Sequence, residues 1–141
     1  MGARRLLIAE DDFPVRQFLA EYLSECGFEV DAAEDGDHAA AMLDGVVEYG
    51  LLITDIDMPG RIDGNALAKR AKARFPDLPV IYATGYPEQL TNRVGEHDAF
   101  LNKPFGPRQV QTLVVEMLAT RDRQIRVSVP KHASRLQVAT G

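Results

Sequence analysis

Cysteine occurs once in this chain, at Cys26, so no internal disulfide can form. Its helical spacing just before Gly27 marks it as a small packing residue rather than a redox centre. Histidine is also scarce. His38, His97 and His132 lie on separate segments without metal-ligand spacing, which excludes a histidine-based metal centre and leaves all three as expected surface residues. Long apolar stretches are missing as well: Leu6 to Ala9 gives four apolar residues before Glu10-Asp11-Asp12, too few for a signal h-region or a membrane span. The expectation is a cytoplasmic protein with no membrane partner. Basic charge is short where it would matter. The net charge is -5, and residues 121–141 hold five Lys/Arg against one acid, a net of +4, which leaves -9 on residues 1–120. Contact with phosphate backbones needs a basic face, so nucleic acid is not expected as a partner of the main domain. No internal repeat or low-complexity segment is present.

What is present suits one compact domain. At 141 residues with 45% hydrophobic and 26% charged side chains, the chain can bury a core without staples. Arg5 to Ala9 reads as a buried strand ending at the acids. Val15, Phe18, Leu19, Tyr22, Leu23 and Cys26 then stripe one helix face, opened by Pro14 and closed by Gly27. Phe28 to Ala33 alternates as a second strand, and Ala39, Met42, Leu43, Val46 and Val47 stripe a second helix expected to end near Gly50. Leu51 to Thr54 is the third strand. Leu67, Ala68, Ala71 and Phe75 mark a third helix up to Pro76, and Pro79 to Ala83 is the fourth strand. A short polar helix is expected over 86–94, a fifth strand over Asp98 to Leu101, and a last helix on the stripe Val110, Leu113, Val114, Met117 and Leu118. Strands and helices alternate with short connections, the pattern of an α/β, doubly wound five-stranded parallel sheet with helices on both faces. Residues 1–120 form the expected domain. Residues 121–141 are expected to be a basic, solvated tail, although Ala119 to Arg126 fits an extension of the last helix and Ile125, Val127 and Val129 alternate like a strand.

Open parallel sheets bind ligands at the carboxyl ends of their strands. The residues there are Glu10-Asp11-Asp12, Asp55, Thr84-Gly85 and Lys103-Pro104. Neighbouring carboxylates stay ionised only with a cation among them, and an all-oxygen ligand set points to Mg²⁺ completed by a phosphate. Asp55 then fits a carboxylate nucleophile forming an acyl phosphate, with Lys103 and the Thr84 hydroxyl as donors to phosphate oxygens. Gly85 leaves room for the phosphoryl group beside the backbone. Each residue alone has an ordinary explanation as a turn or cap; their joint placement on four strands gives the reading its weight.

With LLIAEDD, TDIDMPG followed by Asp63-Gly64, VIYATGY and FLNKPF at successive strand ends, the chain resembles the receiver domains of two-component response regulators, including the single-domain chemotaxis type. The resemblance covers about residues 4 to 120. It implies the flavodoxin-like strand order 2-1-3-4-5, Asp55 as phosphoacceptor, and Glu10 and Asp11 as the acidic pair holding Mg²⁺, with the Asp57 backbone carbonyl as a third metal contact. Glu10-Asp11 is preferred to Asp11-Asp12 because Arg16 follows Asp11 by five residues, the family's usual offset; Asp12 then serves the start of the first helix. The resemblance makes Thr84 the switch hydroxyl, Lys103 the conserved lysine and Phe100 the switch aromatic. Three departures stand out: a loop from Asp55 to Gly64 one residue longer than the common form, Phe100 where tyrosine is frequent, and the extra charge of Asp57. Asp57 and Tyr86 flank the expected path of attacking water, so the phosphorylated state's lifetime is expected to depend on them.

The resulting expectation is a single-domain response regulator of a phosphorelay, a phosphoacceptor switch with only slow self-dephosphorylation rather than a turnover enzyme. Its partners would be a sensor histidine kinase or histidine phosphotransfer protein and a downstream protein target; no DNA-binding module fits into residues 121–141. Two alternatives stay open. Asp55-Ile56-Asp57 also matches the Asp-x-Asp of haloacid-dehalogenase phosphohydrolases, against which stand its place after the third strand and the lack of room for a cap domain. The chain also fits a receiver cut from a larger hybrid kinase or regulator.

Overall fold

The computed structural model describes residues 5–86, 95 and 97–127, with side chains as far as Arg123. Five strands, β1 (Arg5–Ala9), β2 (Glu29–Ala33), β3 (Leu51–Asp55), β4 (Val80–Thr84) and β5 (Ala99–Asn102), form one parallel sheet in the order β2-β1-β3-β4-β5. Register pairs Ala9 with Ala33 and Thr54, Asp55 with Ala83, and Thr84 with Asn102. All carboxyl ends therefore finish on one edge of the sheet. The helices among the described residues are α1 (Phe13–Glu25), α2 (Gly36–Leu43), α3 (Gly64–Arg74) and α4 (Pro107–Val127).

Successive strand residues point to opposite faces, and the sequence fills both with apolar side chains. Leu6, Ile8, Leu51, Ile53 and Ile81 join Leu19 and Leu23 of α1 and Val110, Val114 and Met117 of α4 in one core cluster. Leu7, Ala9, Leu52, Val80 and Tyr82 join Ala39 and Leu43 of α2 and Leu67 and Ala71 of α3 in the other. Removing one of these large side chains costs about 2–5 kcal/mol, so the two cores hold the sheet's end in place as a platform.

Several boundaries differ from the sequence expectation. α2 stops at Leu43, because Asp44 caps it and the Gly45 N–H turns back to the Met42 carbonyl at 3.2 Å. Val46 is consequently 99% exposed and Val47 leaves the stripe, while Tyr49 takes a fully buried place in the core. Its hydroxyl donates to Asp31 Oδ2 at 2.7 Å, and Arg5 bridges Asp31 and Glu29, so the amino edge of β1 and β2 is tied by a polar network. α1 has Asp12 at its cap position without a side-chain cap bond, whereas Asp35 and Asp63 accept from the N–H groups of His38 and Ala66 to cap α2 and α3. Cys26 ends α1, half-buried, ahead of Gly27 at φ +100°. α4 runs past residue 120 to Val127 as helix, the extension the sequence allowed and not the strand alternation of Ile125 and Val127. Of the helix expected over 86–94 only Tyr86 is described, and residues 87–94 and 128–141, His132 among them, lie outside the described residues; His38 and His97 are exposed. No helix among the described residues is long and apolar enough to cross a membrane.

Candidate functional site

β1 ends at Ala9, and the Glu10 N–H still bonds to the Ala33 carbonyl at 3.1 Å, which fixes where the acidic turn begins. Glu10 is 1% exposed, Asp11 is exposed and Asp55 is 9% exposed, and one carboxylate oxygen from each lies within 4.8 Å of the others. Lys103, delivered by the end of β5, reaches into this group from across the sheet. Its Nζ lies 2.9 Å from Glu10 Oε1 and 3.3 Å from Asp55 Oδ2. The Lys103–Pro104 peptide is cis, and the Lys103 N–H bonds to the Thr84 carbonyl at 2.8 Å, so β4 and β5 leave the sheet together.

Asp55 is held from its own strand outward. The Ile56 N–H bonds to the Ala83 carbonyl, the Asp57 N–H donates to Asp55 Oδ1 at 3.3 Å, and the buried Thr54 hydroxyl donates to the Asp55 carbonyl at 2.9 Å. The loop that follows returns tightly. The Gly64 N–H bonds to the Ile56 carbonyl at 2.9 Å, and a Cβ on Gly64 would stand 2.2 Å from the Asp55 carbonyl oxygen. Only glycine permits that approach. A second contact of the same kind braces the loop's far side, where a Cβ on Gly36 would lie 1.9 Å from the Ile62 carbonyl oxygen.

Electrostatics follow from the crowding. Burial, then the charge of Glu10, push the Asp55 carboxyl up to about 7, against the pull of Lys103. Burial lowers the Lys103 ammonium, but its hydrogen bond and charge contacts with Glu10 and Asp55 outweigh that and leave it raised. One lysine thus stands against three carboxylates in a half-closed pocket. Hard oxygen donors at this spacing suit a small divalent cation, and the surplus of negative charge gives it a reason to bind.

A family model, the response regulator receiver domain, matches residues 6–115. The chain belongs to that family. Among similar proteins, the response regulator receiver protein CpdR of Brucella abortus is 36% identical over 118 residues, covering 82% of this chain and 97% of that protein. Sensor kinase CckA of the same organism is 32% identical over 125 residues, covering 86% of this chain but 13% of the kinase. A response regulator receiver protein from Sinorhizobium medicae superposes with a TM-score of 0.80 at 27% identity, covering 84% of this chain and 97% of that one. The receiver therefore resembles both a free-standing regulator and a domain of a hybrid kinase.

Of the residues singled out in the sequence, Glu10, Asp11, Asp55 and Lys103 come together. Thr84 is buried at the end of β4, with its hydroxyl accepting from the Tyr86 N–H at 3.0 Å rather than turned to Asp55. Phe100 pairs with Tyr82 across β4 and β5, half-buried, and lines an open groove of about 460 Å³ with Arg108, Thr112 and Leu113 of α4. Asp57 is exposed, and its main-chain N–H is what meets Asp55. A Cβ on Gly85 would meet nothing within 4 Å, so the space beside this stretch of backbone is open. Sequence reasoning overlooked Asp98, 2% exposed by its side chain at the start of β5, which accepts from Val80 N–H, Gly95 N–H and Lys72 Nζ. No spacing rule marks such a residue; only burial shows that it clamps the other edge of β4 and β5.

Proposed function

We propose that this receiver is a phosphorylation-controlled switch in which Asp55 takes a phosphoryl group from a phosphohistidine of a sensor histidine kinase or histidine phosphotransfer protein. The observation that carries this reading is the cluster of Glu10, Asp11 and Asp55 oxygens within 4.8 Å, spanned by Lys103. Glu10, Asp11, Asp55 and the Asp57 backbone carbonyl would hold Mg²⁺, which when bound offsets the charge of the carboxylates and of the incoming phosphoryl group. An Asp55 oxygen attacks phosphorus in line with the departing imidazole nitrogen; the P–N bond breaks as the O–P bond forms, and the imidazole leaves with the electron pair. Lys103 supplies a point charge to a phosphoryl oxygen, having been held beside Asp55 in advance. Asp55 must be ionised to attack, so its raised pKa makes offset of the local charge a requirement of the chemistry.

The signal leaves through two side chains. Thr84 exchanges its Tyr86 N–H for a phosphoryl oxygen, and Phe100 packs inward into the space released, changing the groove between β5 and α4 where a downstream protein target would bind. The chain acts as a switch on protein contacts with slow self-dephosphorylation, in the cytoplasm, and without nucleic acid as its ligand. Incubation with a phosphorylated histidine kinase tests this. One phosphoryl group per chain, stable in acid and labile in base, should appear on the wild type and not on Asp55→Ala; equal labelling of both would refute the assignment, and many-cycle turnover of a small phosphate ester would favour the phosphohydrolase alternative.

A further inference from the structure

The acidic turn between β1 and α1 carries one cation that touches none of its carboxylates. Arg16, half-buried on the first turns of α1, sends Nη1 to the Glu10 carbonyl at 2.8 Å and to the Asp11 carbonyl at 3.5 Å. Its guanidinium carbon lies 5.4 Å from the centroid of the Phe13 ring, and its own N–H bonds to the Asp12 carbonyl at 2.9 Å. The same short turn is tied from inside by the Asp12 N–H, which donates to Glu10 Oε2 at 3.2 Å. Three consecutive peptide units, 10 to 12, are therefore bonded either to Arg16 or to the Glu10 carboxylate.

We propose that Arg16 is a positioning residue for divalent cation binding, holding the Glu10 and Asp11 main chain from behind so that their carboxylates stay gathered against mutual repulsion. The inference rests on the metal-binding reading given under Proposed function and extends it to a residue that would not be a ligand. Two physical effects oppose one another, and the positioning role requires the geometric one to win. Both carbonyl oxygens point their negative ends at the guanidinium, which fixes the peptide planes from which the two side chains depart. The guanidinium charge works the other way, because a fixed cation close behind the pocket lowers its affinity for another cation. Both contacts are made by Nη1, whose direction the planar guanidinium fixes; an ammonium group on a flexible stem keeps the charge but loses that fixed direction. The Phe13 ring adds a face against which the guanidinium rests.

Calorimetric titration of Mg²⁺ into the wild type, Arg16→Gln and Arg16→Lys, with melting curves of each in EDTA, tests this. Arg16→Gln should weaken Mg²⁺ binding by about ten-fold, the size typical of losing an outer contact of a metal site. Arg16→Lys should fall between Gln and the wild type, and the wild-type advantage should persist or grow at high salt, where repulsion between the guanidinium and Mg²⁺ is screened. Gln and wild-type chains that bind Mg²⁺ equally would overturn the positioning role while leaving the metal site standing. So would equal weakening in both variants with a matching fall in metal-free melting temperature, since that describes a residue needed only for folding. A wild type that binds no Mg²⁺ would overturn the metal reading and this inference together.

Discussion

Replacing Asp55 by Asn should make the metal-free protein more stable, because the site stores unfavourable charge. The Asp55 carboxyl sits at about 7 in the folded chain against 3.8 for an ordinary aspartate, first through burial and then through Glu10. Between these two values the folded state holds a proton that the unfolded state has lost, so stability falls as pH rises through the window and levels off above it. A shift from 3.8 to about 7 sets a ceiling of about 4 kcal/mol. Solvent at the mouth of the pocket and movement of Lys103 reduce this to about 2 kcal/mol at pH 8. The Asp55→Asn side chain keeps the shape and an acceptor for the Asp57 N–H without the charge. For a domain of this size the gain corresponds to about 6 °C in melting temperature. Thermal melts followed by circular dichroism in EDTA should show the gap between Asp55→Asn and wild type growing from about a quarter of its full size at about pH 4.5 to its full size at about pH 8, with Mg²⁺ closing it by stabilising the wild type more than the variant. A gap equal at both pH values, or a variant less stable at about pH 8, would refute the reasoning.

Other perturbations test the supports of the site. Gly64→Ala should lower stability by at least about 2 kcal/mol and slow phosphotransfer, because the new Cβ would stand 2.2 Å from the Asp55 carbonyl oxygen and push the acceptor's backbone; an unchanged urea midpoint would contradict this. Tyr49→Phe should cost about 1–2 kcal/mol by urea unfolding, since it leaves Asp31 Oδ2 without the hydroxyl at 2.7 Å, but should not change Mg²⁺ affinity at the opposite end of the sheet. Asp57→Asn removes a charge two residues from the acceptor and should change the rate at which phosphorylated protein loses its label, while an identical decay would remove Asp57 from that step.

The fold was legible because the parallel strands leave a plain trace. Residues such as Leu6 to Ala9 and Leu51 to Ile53 are apolar on both faces, and each run stops close to an acid. The candidate site was legible for the same reason, since Glu10 and Lys103 directly follow their strands, Asp55 ends its own, and the sheet's parallel register brings those ends together. Where the reading failed, a local signal lost to a tertiary one. Val46 and Val47 continued the α2 stripe, but Gly45 released the chain and the larger ring of Tyr49 took the core position. Asp98 and the close approaches at Gly36 and Gly64 were invisible because they depend on which distant backbone comes within reach. Arg16 stood out in the sequence only by its offset from Asp11; its grip on two carbonyls is a property of the folded turn.

The most direct test of the central claim is a crystal structure grown with Mg²⁺ and beryllofluoride, a phosphoryl mimic. The account predicts beryllium bonded to an Asp55 carboxylate oxygen, Mg²⁺ held by Glu10, Asp11 and Asp55, Lys103 on a fluoride, and the Thr84 hydroxyl turned from the Tyr86 N–H to the mimic. An empty pocket under those conditions, or beryllofluoride seated elsewhere with residues 10, 11, 55 and 103 apart, would contradict it.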